Sequence, residues 1–374
     1  YSVPAALDAE VDAIDDSTLR IALTTPTADL LDILVSGYVL PPSLADREDF
    51  MDNPVGSGAY RAVEISPDAI RMAANPNWQG GAVAHADVVW RRMASPGDRI
   101  GAIASGEAHV ASRLDPGAAS AAGICAVDYV DPVSIIFMFN CQHGPLQDVR
   151  VRRALNMAAD RQALIDVGAD GAGVQLPGPV SAAHFGAAPA AHDAPDAAGA
   201  RRLLAEAGFE KGLRLVVDRP TELPDEAERL TNALALQLSK IGVTCEIRVH
   251  GDRTAYAEMV REKRIGDMCL FDSSPMSFFR VIYEKLDSRR RGAWWQGCAD
   301  LEVEGLLDQA RTTIDDAARA ALYQAAYRRL VAAPPWLYVY NRKRAVGFAR
   351  DVLTETQLGG AVRVDGVLDV AALS

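Results

Sequence analysis

Apolar and polar positions first alternate at Leu19, Ile21 and Leu23, behind an Asp15-Asp16-Ser17 turn, and predict a half-buried strand. A short helix is expected over 29–36 and another from Pro41-Pro42. Strands follow over 60–66, 70–74 and 88–93, then a helix over 98–105 stopped by Gly106, and a short strand at Val110-Ala111. Val133 to Asn140 is a continuous apolar and β-branched run, as expected of a strand buried on both faces. A turn over 141–147 leads to Asp148, placed as an N-cap. Beyond it Val151, Leu155, Ala158 and Ala159 fall on one helical face, with Arg150, Arg152, Arg153, Asp160 and Arg161 mostly off it.

Residues 168–200 are rich in Ala, Gly and Pro and read as a long surface loop. Then come a helix over 195–208, a strand over 213–218, a helix over 224–241 and a strand over 243–249. A helix over 254–263 and a strand over 268–271 complete a right-handed parallel α/β unit. Ligands in such sheets sit at the carboxyl ends of strands, which here means Phe271-Asp272-Ser273-Ser274-Pro275. The stretch 287–296 sets three arginines beside Trp294 and Trp295, either a solvated turn or a ligand wall. Helices over 302–312 and 315–332 precede a strand from Trp336 to Tyr340 that continues at 345–349. No internal repeat is visible.

Composition narrows the function. The 374 residues are 49% hydrophobic and 24% charged, ordinary for a globular protein with a large core. The formal charge of −12 argues against nucleic acid as a partner. No apolar run reaches the roughly 18 residues of a membrane helix, and the first residues have no signal-peptide pattern. The five cysteines form no C-x-x-C pair, and Cys125 and Cys141 flank an expected hairpin turning at Asp131-Pro132, where a disulfide is one possibility and buried thiols the other. The six histidines show no metal-ligand spacing, so no metal or cofactor is expected. No nucleophile elbow, phosphate loop or zinc motif occurs. Ser273 and Ser274 beside Asp272 leave a hydrolase as the remote alternative.

Four stretches carry a resemblance. Ile14 to Leu19 is similar to a "V-D-D-x-T-V" strand start, and Asn53 to Tyr60 to "N-P-V-G-T-G-P-Y", with Ala59 in place of the proline. Phe139-Asn140 and Asp148 to Arg161 resemble "F-N-x…F-D-D-V-R-V-R-Q-A-L-N-Y-A-I-D-R"; Leu322 to Tyr340 resembles a closing helix and "A-P-W-I-P-L-Y" strand. These are the motifs of the family 5 extracellular solute-binding proteins of ABC transporters. The resemblance implies an α/β, two-lobed, periplasmic-binding-protein-like fold (type II, cluster C) that closes on a solute by hinge bending. The hinge strands would be 133–140 and 336–340. The first lobe would be 1–140 plus 339–374, with a remnant of a small extra domain near 1–36, and the second 141–338. Family members carry a further N-terminal segment, so the first lobe is expected to be N-terminally incomplete.

The resemblance also implies a monomer, periplasmic or extracellular, with or without a lipid anchor, that binds a small molecule or short peptide and delivers it to an ABC transporter membrane permease. It would be no enzyme, and the ligand would be a peptide, an opine or a sugar-like conjugate. A regulator's ligand-sensing domain of the same fold is the alternative. The expected contacts are Ser57, Gly58 and Arg113 from the first lobe, and Asp272, Ser273, Arg280, Trp294 and Trp295 from the second. The family's hinge aromatics correspond to Ile135 and Ile136, with Phe137 taking their place.

Overall fold

A computed structural model describes residues 9–35, 37, 41, 44, 49, 52–189, 194–222, 224–273, 277–350, 352–362 and 368–373. The chain divides into two compact units. The larger holds Tyr1–Gly37 and Pro132–Arg342, the smaller Tyr38–Asp131 and Lys343–Ser374.

The expected strand near residue 20 is the second half of a hairpin, β1 (Ala9–Asp15) and β2 (Thr18–Leu23). Its turn is held by the Asp15 carboxylate, which accepts from the Ser17 N–H at 2.8 Å. The first strand was not legible because both its faces are largely exposed, which leaves no one-sided apolar alternation to read. Helix α1 (Leu30–Leu34) follows. It is tied down by the Tyr323 hydroxyl, which donates to the buried Asp29 carboxylate, and by Ala28 N–H to the Arg311 carbonyl at 2.8 Å. Of the helix expected from Pro41-Pro42, Pro41 and Leu44 are described, the Leu44 N–H donating to the Pro41 carbonyl at 2.9 Å, and most of the rest lies outside the described residues.

In the smaller unit, β3 (Tyr60–Ile65), β4 (Ala69–Ala74) and β5 (Asp87–Arg91) form an antiparallel sheet. Helix α2 (Pro96–Ala104) is N-capped by Ser95, and β6 (Val110–Leu114) is followed by α3 (Pro116–Ala121), N-capped by Asp115. Leu114, Ala119, Ile103, Ala345 and Ala349 make one small core there.

β7 (Cys125–Phe139) corrects the expected hairpin: it runs as one strand through Asp131-Pro132. Proline's fixed φ suits extended backbone as well as a turn, and no glycine is present to supply a reversal. Because the strand is extended, Cys125 and Cys141 lie far apart; the disulfide joins Cys141 to Cys298, and Cys125 is a free thiol. The chain then makes α4 (Val149–Ala158), α5 (Arg161–Ala169), β8 (Gly173–Gln175), α6 (Ala197–Glu206), β9 (Leu213–Pro220), α7 (Ala227–Ser239) and β10 (Val243–His250). It continues with α8 (Arg253–Arg261), β11 (Met268–Ser273), α9 (Phe278–Lys285), α10 (Leu301–Thr312) and α11 (Asp316–Ala332). The last elements are β12 (Trp336–Phe348) and α12 (Glu355–Ala361).

The larger unit is built on the strand order β10–β9–β11–β7–β12, with β8 against β12. β9 is parallel to β10 and β11, as the alternation of strands and helices predicts, whereas β11 meets β7 antiparallel. Alternate residues feed two cores. Ile135, Phe137 and Phe139 of β7 point with Met268, Leu270, Leu337 and Val339 into one, covered by α4 to α7. Ile136 and Met138 point with Cys269, Phe271, Trp336 and Tyr338 into the other, covered by α8 to α11. Both faces being buried is why β7 reads as an unbroken apolar run.

The stretch 176–188, expected at the surface, is packed inward: Leu176, Val180 and Ala188 are buried. Gly178 lies flat on the Tyr327 ring, where a Cβ would come within 2.6 Å of it. A small-residue loop of this kind reads as solvent-facing from composition, because its packing partner is 147 residues further on in the sequence.

Candidate functional site

An ionic set in the larger unit runs from the start of β11, beside the last residues of β9 and β10, to the carboxyl end of β11. Its inner member is Asp218, whose side chain is 0% exposed. Its carboxylate accepts two bonds from Arg248, at 2.9 and 2.8 Å, one from the Gly266 N–H at 2.6 Å, and lies 2.8 Å from His250 Nε2. Four contacts on one carboxylate lock β9, β10 and the entry to β11 together.

The outer member is Asp272, at the end of β11. Arg253, the first residue of α8 behind the Asp252 N-cap, donates to Asp272 Oδ1 at 2.9 Å. The guanidinium lies over the Phe271 and Tyr256 rings, 5.1 and 5.7 Å from their centroids, and its Nε is buried with no hydrogen-bond partner. Burial pushes the Asp272 carboxyl above its usual range, and Arg253 offsets only part of that. Next to it, Ser273 Oγ accepts from Lys285 Nζ at 2.6 Å, and both residues are buried. Burial brings the Lys285 ammonium down to about 8, opposed by Glu284 and Asp272. Glu284 pairs in turn with Arg280 at 3.2 Å, one helical turn earlier on α9. Trp294 meets the Phe271 ring at a tilt of 46° with 4.9 Å between centroids, and the Arg261 guanidinium lies over the Trp294 ring at 4.9 Å.

The structure therefore brings together Asp272, Ser273, Arg280 and Trp294 of the residues singled out from sequence. Trp295 turns to its own loop, its Nε1 donating to the Cys298 carbonyl at 2.7 Å. Phe137 is 0% exposed inside the core beneath α4 to α7. In the smaller unit Ser57 and Gly58 lie in an exposed loop, the Gly58 carbonyl accepting from Asn75 at 2.8 Å. Arg113 is exposed on β6 with a left-handed φ of 57°. Ser273, the nucleophile that the hydrolase alternative needs, is only 2% exposed. Among the described residues no cluster of His, Cys, Asp and Glu has metal-binding geometry.

Sequence reading missed Arg253, Lys285 and Asp218. Only Lys285 left a signal: it stands three and four residues beyond Ile282 and Val281 on the apolar face of α9, where a lysine needs an internal partner.

The model of the bacterial extracellular solute-binding proteins, family 5 (middle region), matches residues 1–279 of the chain. The chain belongs to this family. The dipeptide-binding protein of Escherichia coli is 25% identical over 350 residues, which are 86% of this chain and 64% of that protein. The chain thus spans a little under two thirds of that relative. DppA from Helicobacter pylori, solved with the peptide STSA, superposes with a TM-score of 0.79 at 18% identity, covering 99% of this chain and 74% of that one. AgaA from A. tumefacien, solved with agropinic acid, gives 0.73 at 19%, covering 98% of this chain and 76% of the other. These likenesses bear out the expected fold class, the α/β type of the periplasmic binding proteins. No helix among the described residues is long and apolar enough to cross a membrane.

Proposed function

We propose that this chain acts as the solute-binding component of an ABC importer, taking up a small polar solute outside the cell membrane and passing it to a membrane permease without altering it. The family match over 1–279 is the observation that carries the reading. The relatives' named ligands, dipeptides in one and agropinic acid in another, support a peptide, opine or sugar-like conjugate as the solute. In this reading the two units correspond to two lobes, and the protein works as a monomer. The larger unit's candidates lie around the end of β11, at Asp272, Arg280 and Trp294; Ser57, Gly58 and Arg113 are the smaller unit's candidates.

A thermal-shift screen of peptides, opines, sugar conjugates and free sugars tests this. A ligand present at a hundred times its Kd adds about 2.7 kcal/mol of stability and raises the melting temperature accordingly. Absence of a shift from every class overturns the capture role.

A further inference from the structure

The charge arrangement at the end of β11 speaks to which part of a solute it receives. Asp272 is the obvious acceptor for a ligand ammonium, but its charge is already met by Arg253 at 2.9 Å. An incoming cation would compete with that guanidinium and sit against it, a repulsion that burial strengthens. Around the two carboxylates Asp272 and Glu284 stand three cations, Arg253, Arg280 and Lys285. Lys285 is 3% exposed and already engaged with Ser273, so it adds positive potential without reaching a ligand itself. Arg253 is the member with capacity to spare. Of a guanidinium's five N–H donors, one is used by Asp272, and the buried Nε has no partner. Phe271 and Tyr256 brace its plane, which leaves a fixed fork of unused donors. Such a fork matches the two oxygens of a carboxylate.

We propose that the carboxyl end of β11 receives a carboxylate of the solute through Arg253, and that the protein prefers acids whose amino end is blocked or absent over free amino-terminal peptides. Asp272 is then a positioning residue: it holds the guanidinium and does not bind an ammonium. This rests on the solute-binding reading above and narrows its ligand class.

The test is calorimetric titration of the intact chain with four probes: N-acetyl-alanyl-alanine, succinate, alanyl-alanine and alanyl-alanine amide. The inference expects the two probes that carry an acid and no ammonium to bind, alanyl-alanine to bind more weakly than either, and the amide, which carries an ammonium and no acid, not to bind; alanyl-alanine binding as tightly as the acids overturns the stated preference. Losing a charge-assisted hydrogen bond costs enough that Arg253→Met should weaken the acids about tenfold or more, with Arg253→Lys in between. A circular-dichroism melt of each variant checks that it is folded. Should the amide bind as well as the acids, or Arg253→Met leave acid binding intact in a folded protein, the inference is overturned while the solute-binding reading stands. If none of the four binds and the wider screen is also silent, both fall; if the screen finds only cationic or uncharged solutes, the inference alone falls.

Discussion

Asp218, two residues before the end of β9, has a fully buried carboxylate that accepts from Arg248 and the Gly266 N–H and faces His250. Asp218→Ala strands those donors, and a buried pair broken on one side costs about 3–5 kcal/mol. Chemical denaturation should show that loss; a change below 1 kcal/mol would mean water replaces the carboxylate at little cost. Lys285 makes a pH prediction. Its folded pKa is brought down to about 8 by burial, below the ordinary 10.5, so the unfolded chain holds the proton more tightly. Stability from this residue therefore rises as pH goes from about 8 to 10.5, and the penalty is fully present below 8. Lys263, brought down to about 8 by burial as well, adds to the same slope. Lys285→Met should flatten the slope and leave the neutral protein as stable or more so, by about 1–3 kcal/mol; an unchanged slope would place the titration elsewhere. Individual residues of this kind were the least legible. Arg161 falls off the apolar face in the pattern, yet it is 4% exposed, its guanidinium satisfied by the Tyr338, Asn156 and Ala159 carbonyls. A carbonyl 177 residues away leaves no trace in local periodicity.

Elements were legible where a cap or a one-sided stripe marks them. Asp148 is the N-cap of α4, accepting from Arg150 N–H at 2.8 Å, and the Arg150 side chain pairs with the same carboxylate. Asp148→Ala should cost about 1 kcal/mol, typical of a lost cap, and Asp148→Asn distinctly less; equal losses would assign the effect to the ion pair. The parallel β9, β10 and β11 were readable from alternation of strand and helix patterns, whereas the antiparallel contact of β11 with β7 was not. Pairing between distant strands depends on the whole sheet's order, and the residues of β7 look the same whichever neighbour they meet. The hairpin misread at Asp131-Pro132 has the same origin: a dipeptide that permits a turn does not compel one.

At the scale of the molecule, family membership was legible in four stretches, while the cysteine partner was not, because it depends on a fold that brings positions 157 residues apart to a Cα separation of 4.9 Å. Closing so long a loop is worth about 5 kcal/mol in the chain-entropy picture. Reduction, or Cys298→Ser, should therefore lower the denaturation midpoint of the larger unit substantially; identical midpoints with and without reductant would show the link adds nothing. Such a bond persists in an oxidising compartment, in keeping with an extracellular family. The division into units has a consequence of another kind. Residues 132–342 of the larger unit are contiguous, while the smaller unit is split into 38–131 and 343–374 on either side of them. Synthesis of the chain thus completes residues 132–342 before the second segment of the smaller unit: a premature stop codon just past Arg342 leaves the strands with the ionic cluster, cuts β12 within its length and takes 343–374 from the smaller unit, whereas a stop upstream of it shortens both units.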